Sequence, residues 1–133
     1  SSGFCSKYCG WHTAQISSSG AIRYSFVGNA SRCLSSCAPQ TISPNGNAGA
    51  DAMASIIAHE LEEAATDPNL NAWYDSRGAE NADKCAWTFG QNVQKLTNGA
   101  QWNMQLGSRK FLIQRNLKHG TTGDTCNVDL TNQ

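Results

Sequence analysis

The chain has 133 residues, with 39% apolar and 15% charged side chains and a formal net charge of zero. That length suits one domain with one core, residues 1–133. Without net positive charge or a Lys/Arg run, the chain lacks the concentrated basic surface a nucleic-acid partner requires, and no stretch approaches the roughly 18 apolar residues of a membrane span.

Low charge with abundant Gly, Ser, Asn and Thr suggests a loop-rich extracellular protein. Cys5, Cys9, Cys33, Cys37, Cys85 and Cys126 form an even set in a short chain. That favours three disulfides and an oxidising compartment. The expected pairing joins Cys85 to Cys126 and lets the four N-terminal cysteines pair among themselves. The rival use of the two Cys-x3-Cys pairs as a zinc site fits the secreted composition less well. Asn29-Ala30-Ser31 is a glycosylation sequon, a weak signal that agrees with secretion.

In chain order, Ser1 to His12 is dense in Cys and Gly and expected to be tied down by bridges. Ile22 to Val27 alternates in polarity and predicts a strand ended by Gly28-Asn29. Residues 31–49 predict loop, with a turn at Ser43-Pro44-Asn45-Gly46-Asn47. Asp51 to Thr66 predicts one long helix, with Ala58, Leu61, Ala64 and Ala65 as a small apolar face. Asp67-Pro68 closes it, because the proline disfavours a helical residue before it. A loop over Asn69 to Lys84 follows. Short strands are expected at Ala86–Phe89, Gln101–Leu106 and Lys110–Gln114, with Asn98-Gly99 as a hairpin turn between the first two. The tail from Leu117 reads as loop held by Cys126. The expected class is α+β: a small, mostly antiparallel sheet on one long helix, zincin-like and stapled by three disulfides.

The chemically pointed segment is His59-Glu60-Leu61-Glu62-Glu63. On a helix, His59 and Glu63 lie one above the other on one face. Zinc peptidases with His-Glu-x-x-His use this spacing for two ligands, with the intervening Glu as general base. Here Glu63 replaces the second histidine, and carboxylate is a legitimate zinc ligand. The harder, more anionic site also admits manganese or calcium. The favoured set is His59, Glu63 and Asp83 with Glu60 as base. Glu80 is the near alternative; Asp67, one turn further along the helix, and Asp75 are weaker ones. Tyr74 or His119 are candidates for stabilising an oxyanion. Trp73 and Tyr74 are candidates for substrate contact. Against this stands the reading of Glu60, Glu62, Glu63 and Asp67 as a solvated helix face. The Ala-rich surroundings and the second acidic cluster, Glu80 and Asp83, favour the metal.

Several runs resemble the Exordium, or phosphate-induced, protein family. They are Gly3-Phe4-Cys5-Ser6-Lys7-Tyr8-Cys9-Gly10, Phe26-Val27-Gly28-Asn29 before Cys33 and Cys37, Ser43-Pro44-Asn45-Gly46 with Gly49 and Asp51, and Arg109-Lys110-Phe111-Leu112 with a final Cys126. The resemblance spans nearly the whole chain and covers the C-terminal half of full-length members, whose N-terminal half supplies part of the sheet. It implies an extracellular or cell-wall location. Plant members read like Leu-Ala-Gly-Thr-Val-Thr-Asn-Pro where this chain has its His-Glu motif. The chain instead resembles a microbial branch carrying His-Glu-Leu-x-Glu-Ala-x-Thr-Asp-Pro, which implies a metal at His59, Glu63 and the Glu80/Asp83 loop. The expectation is therefore a secreted zinc-dependent hydrolase, most simply a metallopeptidase acting on peptides. The alternative is a non-catalytic extracellular module that binds cell-wall polysaccharide or a protein partner, with or without structural calcium.

Overall fold

The computed structural model describes residues 3–128. Strands β1 (Gly10–Ser17) and β2 (Gly20–Val27) form an antiparallel hairpin, with Gly20 at φ +132° in the tight turn. The strand expected at Ile22–Val27 is the second arm. Its partner begins inside the segment expected to be held only by bridges. Trp11, Tyr24 and Phe26 cluster through ring contacts at 5.9 Å, while His12 reaches toward the long helix. Apolar and polar side chains thus do not sort onto two faces of β1, and its period of two is hard to read.

Residues 31–49 are not all loop. A 3-10 turn at Ala30–Arg32 leads into the four-residue helix α1 (Leu34–Cys37). Cys33 and Cys37 stand one helical turn apart, which presents both sulfurs on one side. Cys5–Cys33 and Cys9–Cys37 close there, and Cys85–Cys126 is the third bridge. With no free cysteine, the Cys-x3-Cys pairs are not zinc ligands. Ala30, Cys37 and Ala52 form a small buried cluster, packed by Phe4, Cys9 and Leu34.

Helix α2 (Ala48–Thr66) starts three residues earlier than expected. Asn47 caps it by accepting from the Ala50 amide, and Asp51 ties its first turn to Asn45. At its end the Asp67 amide donates to the Glu63 carbonyl, and Pro68 follows. The buried face overturns the expected one. Gly49, Ala52, Ser55, Ile56, Glu60 and Glu63 point inward, while Leu61 is 66% exposed. Small and apolar residues in its first half and two carboxylates, Glu60 and Glu63, in its second face the protein, not the Ala58/Leu61/Ala64/Ala65 stripe.

Beyond α2 the chain is irregular as far as a 3-10 turn at Asp83–Cys85. No strand forms at 86–89. Trp87 sits at φ +62°, outside strand geometry, and Thr88 turns back to the Cys85 carbonyl through both its amide and hydroxyl. Asn98-Gly99 does make a hairpin turn, but between β3 (Gln94–Lys95) and β4 (Gln101–Trp102). The strand expected over 101–106 breaks at Asn103. That side chain replaces ladder bonds, binding the carbonyls of Phe89 and Ile113 and the amide of Ile113. β5 (Met104–Leu106) then pairs with β6 (Arg109–Phe111), and pairing stops before Gln114. In the predicted loop of the tail, β7 (Asn116–Lys118) pairs with β8 (Thr125–Val128); residues 129–133 lie outside the described residues. Among the described residues, the fold therefore mixes one long helix with four separate two-stranded antiparallel ladders rather than one sheet.

Candidate metal centre

Helix α2 carries His59 and Glu63 on one side, four residues apart, and the 3-10 turn brings Asp83 to meet them. His59 Nε2 lies 3.0 Å from Glu63 Oε1 and 3.3 Å from Asp83 Oδ1. A tetrahedral zinc ion with ligands about 2.0–2.1 Å away spaces those ligands roughly 3.3 Å apart. The two separations from His59 Nε2 match that spacing, and the three ligand atoms all lie within 4.8 Å of one another. Glu63 is 4% exposed, and its Oε1 faces the His59 imidazole 3.0 Å away. A buried carboxylate is costly unless it is paired, and a cation between these groups would pair it. The donor set of one imidazole and two carboxylates fits zinc or a harder divalent ion.

The orientation of His59 is fixed from behind. Gln114 Nε2 donates to the carbonyls of Ala82 and Arg115, so its Oε1 is the atom that faces His59 Nδ1 at 2.9 Å. An amide oxygen only accepts, so Nδ1 carries a hydrogen and Nε2 is the free position toward Glu63 and Asp83. This is the outer support that metal-binding histidines ordinarily have. Burial alone would lower the His59 pKa, but the Asp83 and Glu63 carboxylates outweigh it and raise it to about 10. The His59 contact holds Asp83 below the usual carboxylate range. In the metal-free chain a proton therefore occupies the place a cation would take.

Glu60 sits one residue along, 4% exposed. Burial, offset by His59 and reinforced by Glu63, raises its pKa to about 7. It shares with His59 and Asp83 a cleft of about 370 Å³, whose walls include Tyr8, Ser55, Trp87 and Gln114. A buried carboxyl poised near neutrality beside a ligand cluster is suited to proton transfer.

The other sequence candidates divide. Glu80 is near Glu63 but meets a residue that sequence reasoning did not single out: His12 on β1, whose Nε2 is 3.2 and 3.1 Å from the two Glu80 oxygens. His12 Nε2 also lies 3.7 Å from Glu63 Oε2. Asp67 is buried, but its Oδ1 accepts the amides of Asn71 and Ala72 and so shapes the chain after α2. Neither group of converging ligand atoms includes it. Glu62 accepts from Asn81, and Asp75 from Lys84 and two backbone amides, so both brace the loop. Trp73 and Tyr74 are exposed and do not line the cleft; Trp87 and Tyr8 stand where aromatic contact was expected of them. His119 pairs with Asp124, away from the cleft. The solvated-face reading holds for none of Glu60, Glu63 and Asp67, all buried. Asn29 is exposed, and its Oδ1 accepts from the amide and hydroxyl of Ser31.

Residues 1–127 match the family model described as the phosphate-induced protein 1 conserved region. Protein EXORDIUM-like 3 of Arabidopsis thaliana is 36% identical, aligned over 84% of this chain and 41% of its own length. Protein EXORDIUM-like 5 of the same plant is 30% identical over 84% of this chain and 39% of its own length. Protein EXORDIUM-like 4 is also 30% identical, over 84% of this chain and 45% of its length. The chain thus spans less than half the length of these relatives. No solved structure matches it.

Proposed function

The chain belongs to the phosphate-induced protein 1 family, and from that premise we propose that it is a secreted, zinc-dependent hydrolase, a metallopeptidase of a zincin-like, microbial type within the family. The observation that carries this is the convergence on His59 Nε2 of Glu63 Oε1 at 3.0 Å and Asp83 Oδ1 at 3.3 Å, with Glu60 in the same cleft. Zinc held by these three would supply a Lewis acid that polarises a carbonyl and acidifies water. Glu60 takes a proton from the attacking water and returns it to the leaving amine. Gln114 keeps His59 in the tautomer that leaves Nε2 free. Three disulfides suit an oxidising, extracellular compartment, and no helix is long and apolar enough to cross a membrane. Glycosylation at exposed Asn29 belongs to the same proposal.

The test is metal analysis of the purified protein, then cleavage of casein or a peptide library with and without chelator. Chelation and Glu60→Gln should each abolish cleavage, with Glu60→Gln retaining the metal. Full activity in Glu60→Gln removes the assigned base.

A second reading rests on a different observation. Trp11, Tyr24 and Phe26 form one exposed cluster of rings on the hairpin, which Tyr8 at the cleft edge joins through Phe26. Such a surface suits stacking on wall polysaccharide or a protein partner, with calcium in a structural role. It predicts glycan retention that is insensitive to Glu60→Gln and weakened by Trp11→Ala.

A further inference from the structure

His12, Glu80 and the far side of Glu63 form a second convergent set next to the first. His12 comes from β1 and Glu80 from the loop before the 3-10 turn, and their side chains are 6% and 17% exposed. His12 Nε2 is within 3.2 Å of both Glu80 oxygens and 3.7 Å from Glu63 Oε2. Within each set, one ligand atom per residue lies within 4.8 Å of the others, and Glu63 is the residue common to both. It offers them different oxygens: Oε1 faces His59 and Oε2 faces His12. Helix α2 places Glu63 between two imidazoles, and burial gives its carboxylate no water to turn to.

Charge points the same way. Glu60, Glu63, Glu80 and Asp83 bring four carboxylates to this region, and no lysine or arginine ion pair reaches any of them among the described residues. One divalent ion balances half of that charge, and two balance it all. Glu63 Oε2 stands 3.7 Å from His12 Nε2, too far for a direct hydrogen bond and a spacing that two ligands of one ion can have.

We infer that this chain holds a two-ion centre in which Glu63 bridges one divalent cation at His59 and Asp83 to a second at His12 and Glu80. The second site takes a borderline or hard divalent ion, zinc, cobalt or manganese, since it offers one nitrogen and carboxylate oxygens and no sulfur. Shared carboxylates are a common way to hold two ions close enough to act on one substrate group. The proposal rests on the hydrolase reading only through Glu63; it needs no catalysis to be tested.

The test is cobalt and manganese titration of the full chain after chelator treatment, in parallel with His12→Gln, Glu80→Gln and His59→Gln, each checked for intact disulfides and native circular dichroism. Wild type should take up about two equivalents and give the spin-coupled paramagnetic resonance of a bridged pair. His12→Gln and Glu80→Gln should each take up about one and lose the coupling, with the remaining site intact. One equivalent in wild type, kept by His12→Gln and lost by His59→Gln, overturns the second site and leaves the first standing. One equivalent kept by His59→Gln and lost by His12→Gln overturns the bridged centre and the His59 site with it. No uptake by a natively folded wild type sinks both.

Discussion

A β-carbon placed on Gly10 would lie 2.7 Å from Glu60 Oε1, with Ile56 Cγ2 at 2.7 Å and the Phe26 carbonyl oxygen at 2.9 Å. The first strand of the hairpin thus approaches α2 as closely as a backbone without a side chain can, and that approach closes one wall over the carboxyl expected to act as base. Gly10→Ala must push either the Phe26 backbone or the Glu60 side chain aside. Overpacking of this kind costs about 1–3 kcal/mol. The expected outcome is a lower urea midpoint with peptide cleavage reduced further than stability accounts for, while metal content at His59 stays near normal. Unchanged activity and midpoint would mean that Glu60 has room the structure does not give it.

The metal-free protein should lose stability as pH rises, in two separable windows. Glu60 has a folded pKa raised from 4.5 to about 7. A raised carboxyl favours folding only while protonated, so its contribution is full below about 4.5 and gone above about 7. His59 is raised from 6.5 to about 10. Its contribution is full below about 6.5 and is lost as pH passes 10. Urea midpoints measured on chelated protein from pH 4 to 11 should fall through both ranges. Glu60→Gln should flatten the lower one and His59→Gln the upper. Zinc replaces the His59 proton, so at pH 8 its uptake should release protons, seen as binding heats that depend on the ionisation enthalpy of the buffer. Equal heats in two buffers of different enthalpy contradict a protonated His59.

What was legible in the sequence follows the reach of local geometry. The i, i+4 pair His59/Glu63 needs only a helix, and good helix formers with Asp67-Pro68 after them declare one. The acidic residues of the following loop were visible as a cluster, yet which of them meets which histidine was not. Asp83 goes to His59 and Glu80 to His12 because the 3-10 turn at Asp83–Cys85 separates them. His12 was hidden by distance: it meets a residue 68 positions away, from a strand whose aromatic outer face masks its alternation. Gln114 was hidden for a related reason. A glutamine at the end of an apolar run reads as a strand residue, and only the folded chain shows its amide spent on Ala82, Arg115 and His59. Trp87 and Trp73 look alike in sequence. Disulfide-anchored Cys85 puts the first at the cleft, while the second sits on the exposed loop.

The Cys85–Cys126 bridge should matter to the site as well as to the fold. It closes a 41-residue separation, for which chain entropy gives about 4 kcal/mol of stabilisation. Cys85 ends the 3-10 turn that begins with Asp83, and its sulfur is fully buried. The double variant Cys85→Ala/Cys126→Ala frees the tail hairpin and lets Asp83 drift from His59. Thermal unfolding should show a large drop in stability, and zinc affinity below the transition should weaken at least about tenfold. The matching double alanine variant at Cys5 and Cys33 should lower stability without touching affinity to the same degree, since that bridge anchors the other 3-10 turn, Ala30–Arg32, and α1. Equal loss of affinity in both would mean that the Asp83 turn holds no special place.

Gln114 acts through His59 rather than on substrate, and that distinction is measurable. Gln114→Met removes the acceptor of the Nδ1 hydrogen and strands the Ala82 and Arg115 carbonyls. The imidazole is then free to rotate or change tautomer, so Nε2 no longer waits at 3.0 Å from Glu63 and 3.3 Å from Asp83. Loss of such support ordinarily costs 10–100-fold in metal affinity. Gln114→Glu is the informative companion. Its carboxylate still accepts from Nδ1 and should strengthen that bond, but it cannot donate to the two carbonyls. Zinc affinity should therefore fall far less in Gln114→Glu than in Gln114→Met, although both lose stability. Nitrogen-15 spectra of the imidazole should show the Nδ1–H tautomer kept in Gln114→Glu and mixed in Gln114→Met once zinc is bound or the pH exceeds that of His59 titration. If both variants bind zinc as wild type does, His59 is oriented by something other than Gln114, and the free position assigned to Nε2 loses its support.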